Sequence, residues 1–97
     1  LGREIELINV GGEKVDPLEV ENLLLTFEGI SQVKVYGIKN SVLGFIIGAD
    51  IVTTTKDLTE AQIKVFLKDK LPKYKTPRIV NFVNEINLTR TGKISRI

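Results

Sequence analysis

Residues 43–52 are a mostly apolar run of ten, broken by Gly44 and Gly48. Its length suits a central strand, and such a strand needs other segments to pair with and helices to cover it. The flanking sequence supplies both. Residues 4–10 alternate, and Gly11-Gly12 is a turn signal before Glu13-Lys14-Val15, so a hairpin with a short second strand is expected. Asp16-Pro17 then places a capping residue before proline at a helix start. Leu18, Val20, Leu23, Leu24, Leu25 and Phe27 give that helix an apolar stripe. Glu19 and Glu21 lie near its positive N-terminal end, and Glu28-Gly29 stops it.

Residues 30–38 hold Val33, Val35 and Tyr36 in a β-rich stretch, and Lys39-Asn40-Ser41 makes a turn into the apolar run. A polar loop follows at residues 53–57. Thr59-Glu60-Ala61-Gln62 has the form of a capping box and opens a helix through Leu71, which Pro72 ends. After Pro77, the residues Ile79, Val80, Phe82 and Val83 supply a last strand. The expected fold class is α+β in the order β-β-α-β-β-α-β: a small sheet with a β-hairpin and two helices packed on it. Ninety-seven residues without an internal repeat or boundary fit a single domain spanning 1–97.

Composition narrows the chemistry. With no Cys there is no disulfide, thiol nucleophile or thiolate metal site, and with no His most zinc sites and imidazole triads are excluded. No apolar run approaches the roughly 20 residues needed to cross a bilayer. The chain opens Leu1-Gly2-Arg3-Glu4, without Met and without an apolar stretch behind a basic start. A cytoplasmic excerpt of a longer protein is therefore expected. Charge is uneven: residues 1–63 carry five basic and ten acidic side chains, and residues 64–97 carry nine basic and two acidic. A basic last third suits phosphate, nucleotide, nucleic acid or an acidic protein, and equally a solvated helix face with a basic tail.

Three segments carry possible chemistry. Gly11-Gly12 lets backbone approach a ligand closely, with Lys14 beside it; by spacing alone, a plain hairpin turn with an exposed lysine is the favoured reading. Residues 72–78, Pro-Lys-Tyr-Lys-Thr-Pro-Arg, read as a rigid linker in which Lys75 and Arg78 add positive potential. Residues 88–96, Leu-Thr-Arg-Thr-Gly-Lys-Ile-Ser-Arg, form a basic turn in which Lys93 follows Gly92. Alone, such a tail is a surface or nucleic-acid contact.

Taken together and in register over the whole chain, these segments resemble the C-terminal domain of the adenylate-forming enzymes. That superfamily includes acyl-CoA and aryl-CoA synthetases, luciferases and the adenylation domains of peptide synthetases. Pro17-Leu18-Glu19-Val20-Glu21 fits the family's Pro-x-Glu-x-Glu, and residues 74–77 fit its Tyr-Lys-x-Pro. The resemblance implies that Lys93 is the catalytic lysine of acyl-adenylate formation. It also implies that Gly11 and Gly12 line the path of the acceptor thiol, with Lys14 near the CoA phosphates. Gly2-Arg3 matches the Gly-Arg ahead of the interdomain hinge. The slot that commonly holds an acidic or lysine hinge residue holds Ile5, so Arg3, Glu4, Ile5 and Glu6 together form the expected hinge. A second departure is Asn87, where the family tail usually has proline.

The implied parent is a carboxylate-activating ligase. It would form an acyl-adenylate from ATP and a carboxylic acid, then transfer the acyl group to CoA. ATP and Mg2+ would be bound mainly by a large N-terminal domain of the same polypeptide, whose phosphate loop and acyl pocket are not in this sequence. The isolated fragment is accordingly expected to be a monomer without activity, with no nucleic-acid partner and no membrane span. Loading of a carrier-protein phosphopantetheine thiol is the alternative within the family. A basic nucleic-acid module, or a non-catalytic interaction domain, is the alternative outside it, although an aromatic content of 6% offers no stacking motif.

Overall fold

The computed structural model describes residues 7–86. The elements run β1 (Ile8–Val10), β2 (Glu13–Val15), α1 (Pro17–Leu24), β3 (Ile30–Asn40), β4 (Gly44–Thr53), α2 (Glu60–Lys68), a 3-10 turn (Lys73–Lys75) and β5 (Ile79–Phe82). This is the expected α+β order, with the 3-10 turn added. The sheet runs β2-β1-β4-β3, and β5 pairs with β4. The apolar run is thus the central strand. Along one side β4 pairs with β3 from Asn40↔Gly44 to Ile30↔Thr53. Its other side is shared: Gly44 meets Val10 of β1, and residues 48–51 meet β5. All pairs are antiparallel except β4 with β5. Parallel neighbours need a crossover, which α2 and the 3-10 turn provide.

Alternation assigns the faces. Ile47, Ala49 and Ile51 of β4, with Val33 and Val35 of β3, are buried in one cluster with Val20 and Leu24 of α1 and Ile63 and Leu67 of α2. Both helices therefore cover the same face. Full burial of each Val, Leu or Ile side chain in this cluster stabilises the fold by about 1.5–3 kcal/mol. Phe27, just past α1, meets Phe66 of α2 edge to face at 4.7 Å between ring centres, and the Lys70 ammonium lies 4.4 Å from the Phe66 ring centre.

The opposite face carries Tyr36, Ile38, Gly48, Asp50, Ile79 and Asn81, matched by the strand register. There the Tyr36 hydroxyl donates to Asp50 Oδ1 at 2.6 Å, and the Asn81 amide donates to the same oxygen at 3.2 Å. One carboxylate thus joins β3, β4 and β5. Gly48 is needed for close packing: a Cβ there would stand 2.6 Å from Ile38 Cδ1 and 2.8 Å from Tyr36 Cε1. Those side chains lie across β4 only because glycine leaves the space.

Both helix starts are as expected. The Leu18 N–H donates to Asp16 Oδ1 at 2.9 Å ahead of Pro17. At α2 the Gln62 N–H donates to Thr59 Oγ1 and the Thr59 N–H donates to Gln62 Oε1, a closed capping box. The helix ends differ. α1 stops at Leu24, because Thr26 and Phe27 N–H turn to the carbonyls of Leu23 and Leu24, a tightened i−3 pattern. α2 stops at Lys68, while the Leu71 N–H still reaches the Leu67 carbonyl and its side chain enters the core. β3 continues through Asn40, so the turn into β4 is Ser41–Leu43.

Candidate functional site

Two glycines make the hairpin tip. Val10 pairs with Glu13, leaving Gly11-Gly12 as a two-residue loop, and both have positive φ, 57° and 93°. These values suit the turn whose twist matches that of the flanking strands, and a side chain would strain both positions. The tip is held from two directions. Within the hairpin, the Gly12 N–H donates to Asn9 Oδ1 at 3.1 Å. From across the sheet, the Leu43 carbonyl accepts from the Gly11 N–H at 2.8 Å. The surroundings of the two glycines differ. A Cβ on Gly11 would press on Leu43 Cδ2 at 3.0 Å, whereas a Cβ on Gly12 meets nothing within 4 Å. Gly12 is the open one. Lys14 is exposed on β2, the edge strand beside this turn.

The glutamates after Pro17 have structural partners. The Val35 N–H donates to Glu21 Oε2 at 2.8 Å, so the carboxylate covers part of the outer edge of β3. Burial raises the Glu21 pKa above its ordinary value, against the opposing pull of that bond and of Lys34. Glu19 forms a salt bridge with Lys75 at 3.0 Å, tying the 3-10 turn to α1. That hydrogen bond raises the Lys75 pKa and keeps its ammonium charged. Lys75 therefore has a protein partner, while Arg78 remains exposed and its N–H donates to the Ile47 carbonyl at 2.8 Å. In the basic last third, Lys64 is also paired, with Glu60 at 3.0 Å.

Lys93, and the hinge set Arg3, Glu4, Ile5 and Glu6, lie outside the described residues. The chain's route toward Lys93 is nevertheless defined as far as β5. β5 runs beside β4 to Phe82, opposite Ile51, and the Val83 N–H donates to the Ile51 carbonyl at 2.9 Å. The glycine turn sits beyond the Gly44 end of the same strand. With about 3.3 Å per residue, these two ends of β4 are on the order of 20 Å apart. Sequence reasoning missed the Leu43 carbonyl that holds the turn, since its partner Gly11 lies some thirty positions away, and missed the Asn40 side chain that closes the loop before it. Asn before a small loop was the available signal.

Among the described residues no helix is long and apolar enough to cross a membrane. No group of three or more carboxylate, His or Cys side chains among them is placed to hold a metal ion.

Residues 19–93 match the family described as the AMP-binding enzyme C-terminal domain. The chain is 38% identical over 99% of its length to a 3,4-dihydroxybenzoate–[aryl-carrier protein] ligase of Bacillus anthracis, covering 23% of that protein. It is 36% identical over 98% of its length to an oxalate–CoA ligase of Saccharomyces cerevisiae, covering 18% of it. A solved structure of a Mycobacterium tuberculosis fatty acyl CoA synthetase superposes with a TM-score of 0.81 at 35% identity, over 92% of this chain and 18% of that one. The chain thus spans about a fifth of the length of the relatives it matches. It belongs to the AMP-binding enzyme C-terminal domain family, the C-terminal domain of the adenylate-forming ligases.

Proposed function

We propose that this chain, residues 1–97, is the mobile C-terminal domain of a ligase that activates a carboxylic acid with ATP and passes the acyl group to CoA. The observation that carries the reading is the exposed, left-handed glycine turn at one end of β4, with the chain leaving for Lys93 at the other. In this reading the glycine turn serves the acceptor step and Lys93 the adenylation step, and a rotation about the hinge at Arg3, Glu4, Ile5 and Glu6 would exchange them at one active site.

In the first step a carboxylate oxygen attacks the α-phosphorus of ATP, the bond to pyrophosphate breaks, and negative charge builds on the phosphate oxygens. The Lys93 ammonium, contacting the carboxylate and the α-phosphate, stabilises that charge where water is excluded. Lysine suits the task as a compact charge on a long stem, and it acts by electrostatics and positioning rather than as a base. In the second step the acceptor sulfur attacks the acyl carbonyl and AMP leaves. Gly11 and Gly12 offer backbone without side chains beside the thiol's path, and Lys14 stands near the CoA phosphates.

A second reading has its own support. One relative acts on an aryl-carrier protein, so the acceptor thiol here would be a carrier's phosphopantetheine. The two share the thiol and differ in what surrounds it. The test is direct. Purified full-length polypeptide with ATP and octanoate, benzoate or oxalate should exchange pyrophosphate and consume CoA thiol, releasing AMP. Residues 1–97 alone should be monomeric and do neither, because the ATP-binding elements and Mg2+ belong to the large domain. Pyrophosphate exchange by the fragment, or none by the full-length protein with a broad set of acids, overturns the reading.

A further inference from the structure

The hairpin tip is held to the rest of the sheet by little. β1 pairs with β4 at one registered position, Val10↔Gly44, and just beyond it the Gly11 N–H reaches the Leu43 carbonyl. The direction of that carbonyl is set in turn by the last residue of β3. Asn40 Oδ1 accepts from the Val42 N–H at 2.9 Å and from the Leu43 N–H at 2.8 Å. These two bonds close the Ser41–Leu43 turn around one side-chain oxygen, as asparagine does where it substitutes for a backbone acceptor. Leu43 is thereby fixed at both its N–H and its carbonyl, with its side chain against Gly11.

We propose that Asn40 is a positioning residue for the acceptor half-reaction: through the Ser41–Leu43 turn it sets where the Gly11-Gly12 tip stands beside the acceptor thiol. The inference rests on the role given above to that tip, and adds a residue with no contact to the thiol. A thiol path bordered by backbone has little tolerance, since a misplacement of about 1 Å at a reacting centre costs up to about a hundredfold in rate. The Asn40 side chain bonds Val42 and Leu43 rather than either glycine, so its loss shifts the tip without adding bulk to it. Val42 belongs to the same turn and is 85% exposed, but its side chain is not used to hold the tip.

The test uses the full-length enzyme with the acid among octanoate, benzoate and oxalate that exchanges pyrophosphate fastest. CoA is the acceptor, or pantetheine where CoA is not turned over. Asn40→Ala should lower kcat/KM for the acceptor roughly tenfold or more and leave pyrophosphate exchange within about twofold. Asn40→Asp, which keeps the accepting oxygen, should restore the acceptor step, and Val42→Ala should change neither. Three results overturn the proposal: a normal acceptor step in Asn40→Ala, equal losses in both half-reactions, or no rescue by aspartate. Gly12→Leu separates the two levels of argument. If it blocks the acceptor step while Asn40→Ala does not, only the positioning role fails. If Gly12→Leu is itself normal, the assignment of the glycine turn is wrong.

Discussion

The two ends of β4 are built from different materials. At the Gly44 end, structure is made by backbone: a left-handed glycine pair, the Leu43 carbonyl and the Asn9 and Asn40 side chains that satisfy turn N–H groups. At the Ile51 end it is made by packing and a crossover. There α2 buries Ile63 and Leu67, β5 lies parallel to β4, and Asp50 ties Tyr36 to Asn81. The difference suits the two tasks proposed for them. A thiol arm in a narrow path calls for backbone without side chains. For the adenylation task the described contribution is β5, fixed to β4 ahead of the residues that lead in sequence to Lys93.

The comparison breaks most decisively at Lys93. In the full-length enzyme Lys93→Ala should slow adenylation about a hundredfold or more, the cost of losing one charged contact in a water-excluded site. Thioester formation from a supplied acyl-adenylate should stay near normal. Equal damage to both half-reactions would mean that the ends are not divided by task.

The reciprocal change is Gly12→Leu, which should slow the acceptor step and spare adenylation. With φ at 93°, any side chain costs about 1 kcal/mol or more in strain, so Gly12→Ala serves as the control. A Cβ on Gly12 meets nothing within 4 Å among the described residues, so the first atom of the new side chain adds no internal clash. Normal acceptor turnover by Gly12→Leu, in a protein that melts like Gly12→Ala, would make the turn merely structural.

Thr59→Ala tests whether the crossover end is mere scaffold. It opens the capping box and should lower unfolding free energy by about 1 kcal/mol, read by urea titration. Neither half-reaction should change beyond about twofold. A selective loss of adenylation would instead show that α2 helps to place the tail.

What the sequence revealed of these ends follows how local each signal is. Asp16-Pro17, the Thr59 to Gln62 box and Gly11-Gly12 act within four residues and stand where expected. The helix ends were less legible, since Thr26 and Lys70 turn back to i−3 carbonyls without a proline or glycine at that point. Contacts across the fold left no trace in any window. Glu19 and Lys75 are 56 positions apart, and Tyr36 and Asn81 are 45. Lys93 and the hinge set, outside the described residues, rest on the family resemblance alone, because a glycine-lysine pair in a basic tail is common.

The smallest expected effect concerns the outer edge of β3, which both ends share. Glu21 covers it through the Val35 N–H, and four influences act on its carboxyl. Burial favours the neutral form, whereas the N–H bond and Lys34 favour the anion; burial is the largest, and the pKa is raised. Asp16 pushes the same way as burial. A raised carboxyl pKa means that the folded state binds more protons than the unfolded one between the two pKa values. Stability from this group is therefore fully present below the ordinary carboxyl pKa, and is lost as pH rises through the folded value. Glu21→Gln keeps an oxygen for the Val35 N–H and removes the titration. On acidification from pH 7 toward 4.5, native protein should gain stability relative to Glu21→Gln in paired urea titrations. The other carboxyls are common to both proteins and cancel in the difference. A change of the opposite sign would show that the Val35 N–H and Lys34 outweigh burial, and that Glu21 clamps the β3 edge as an anion.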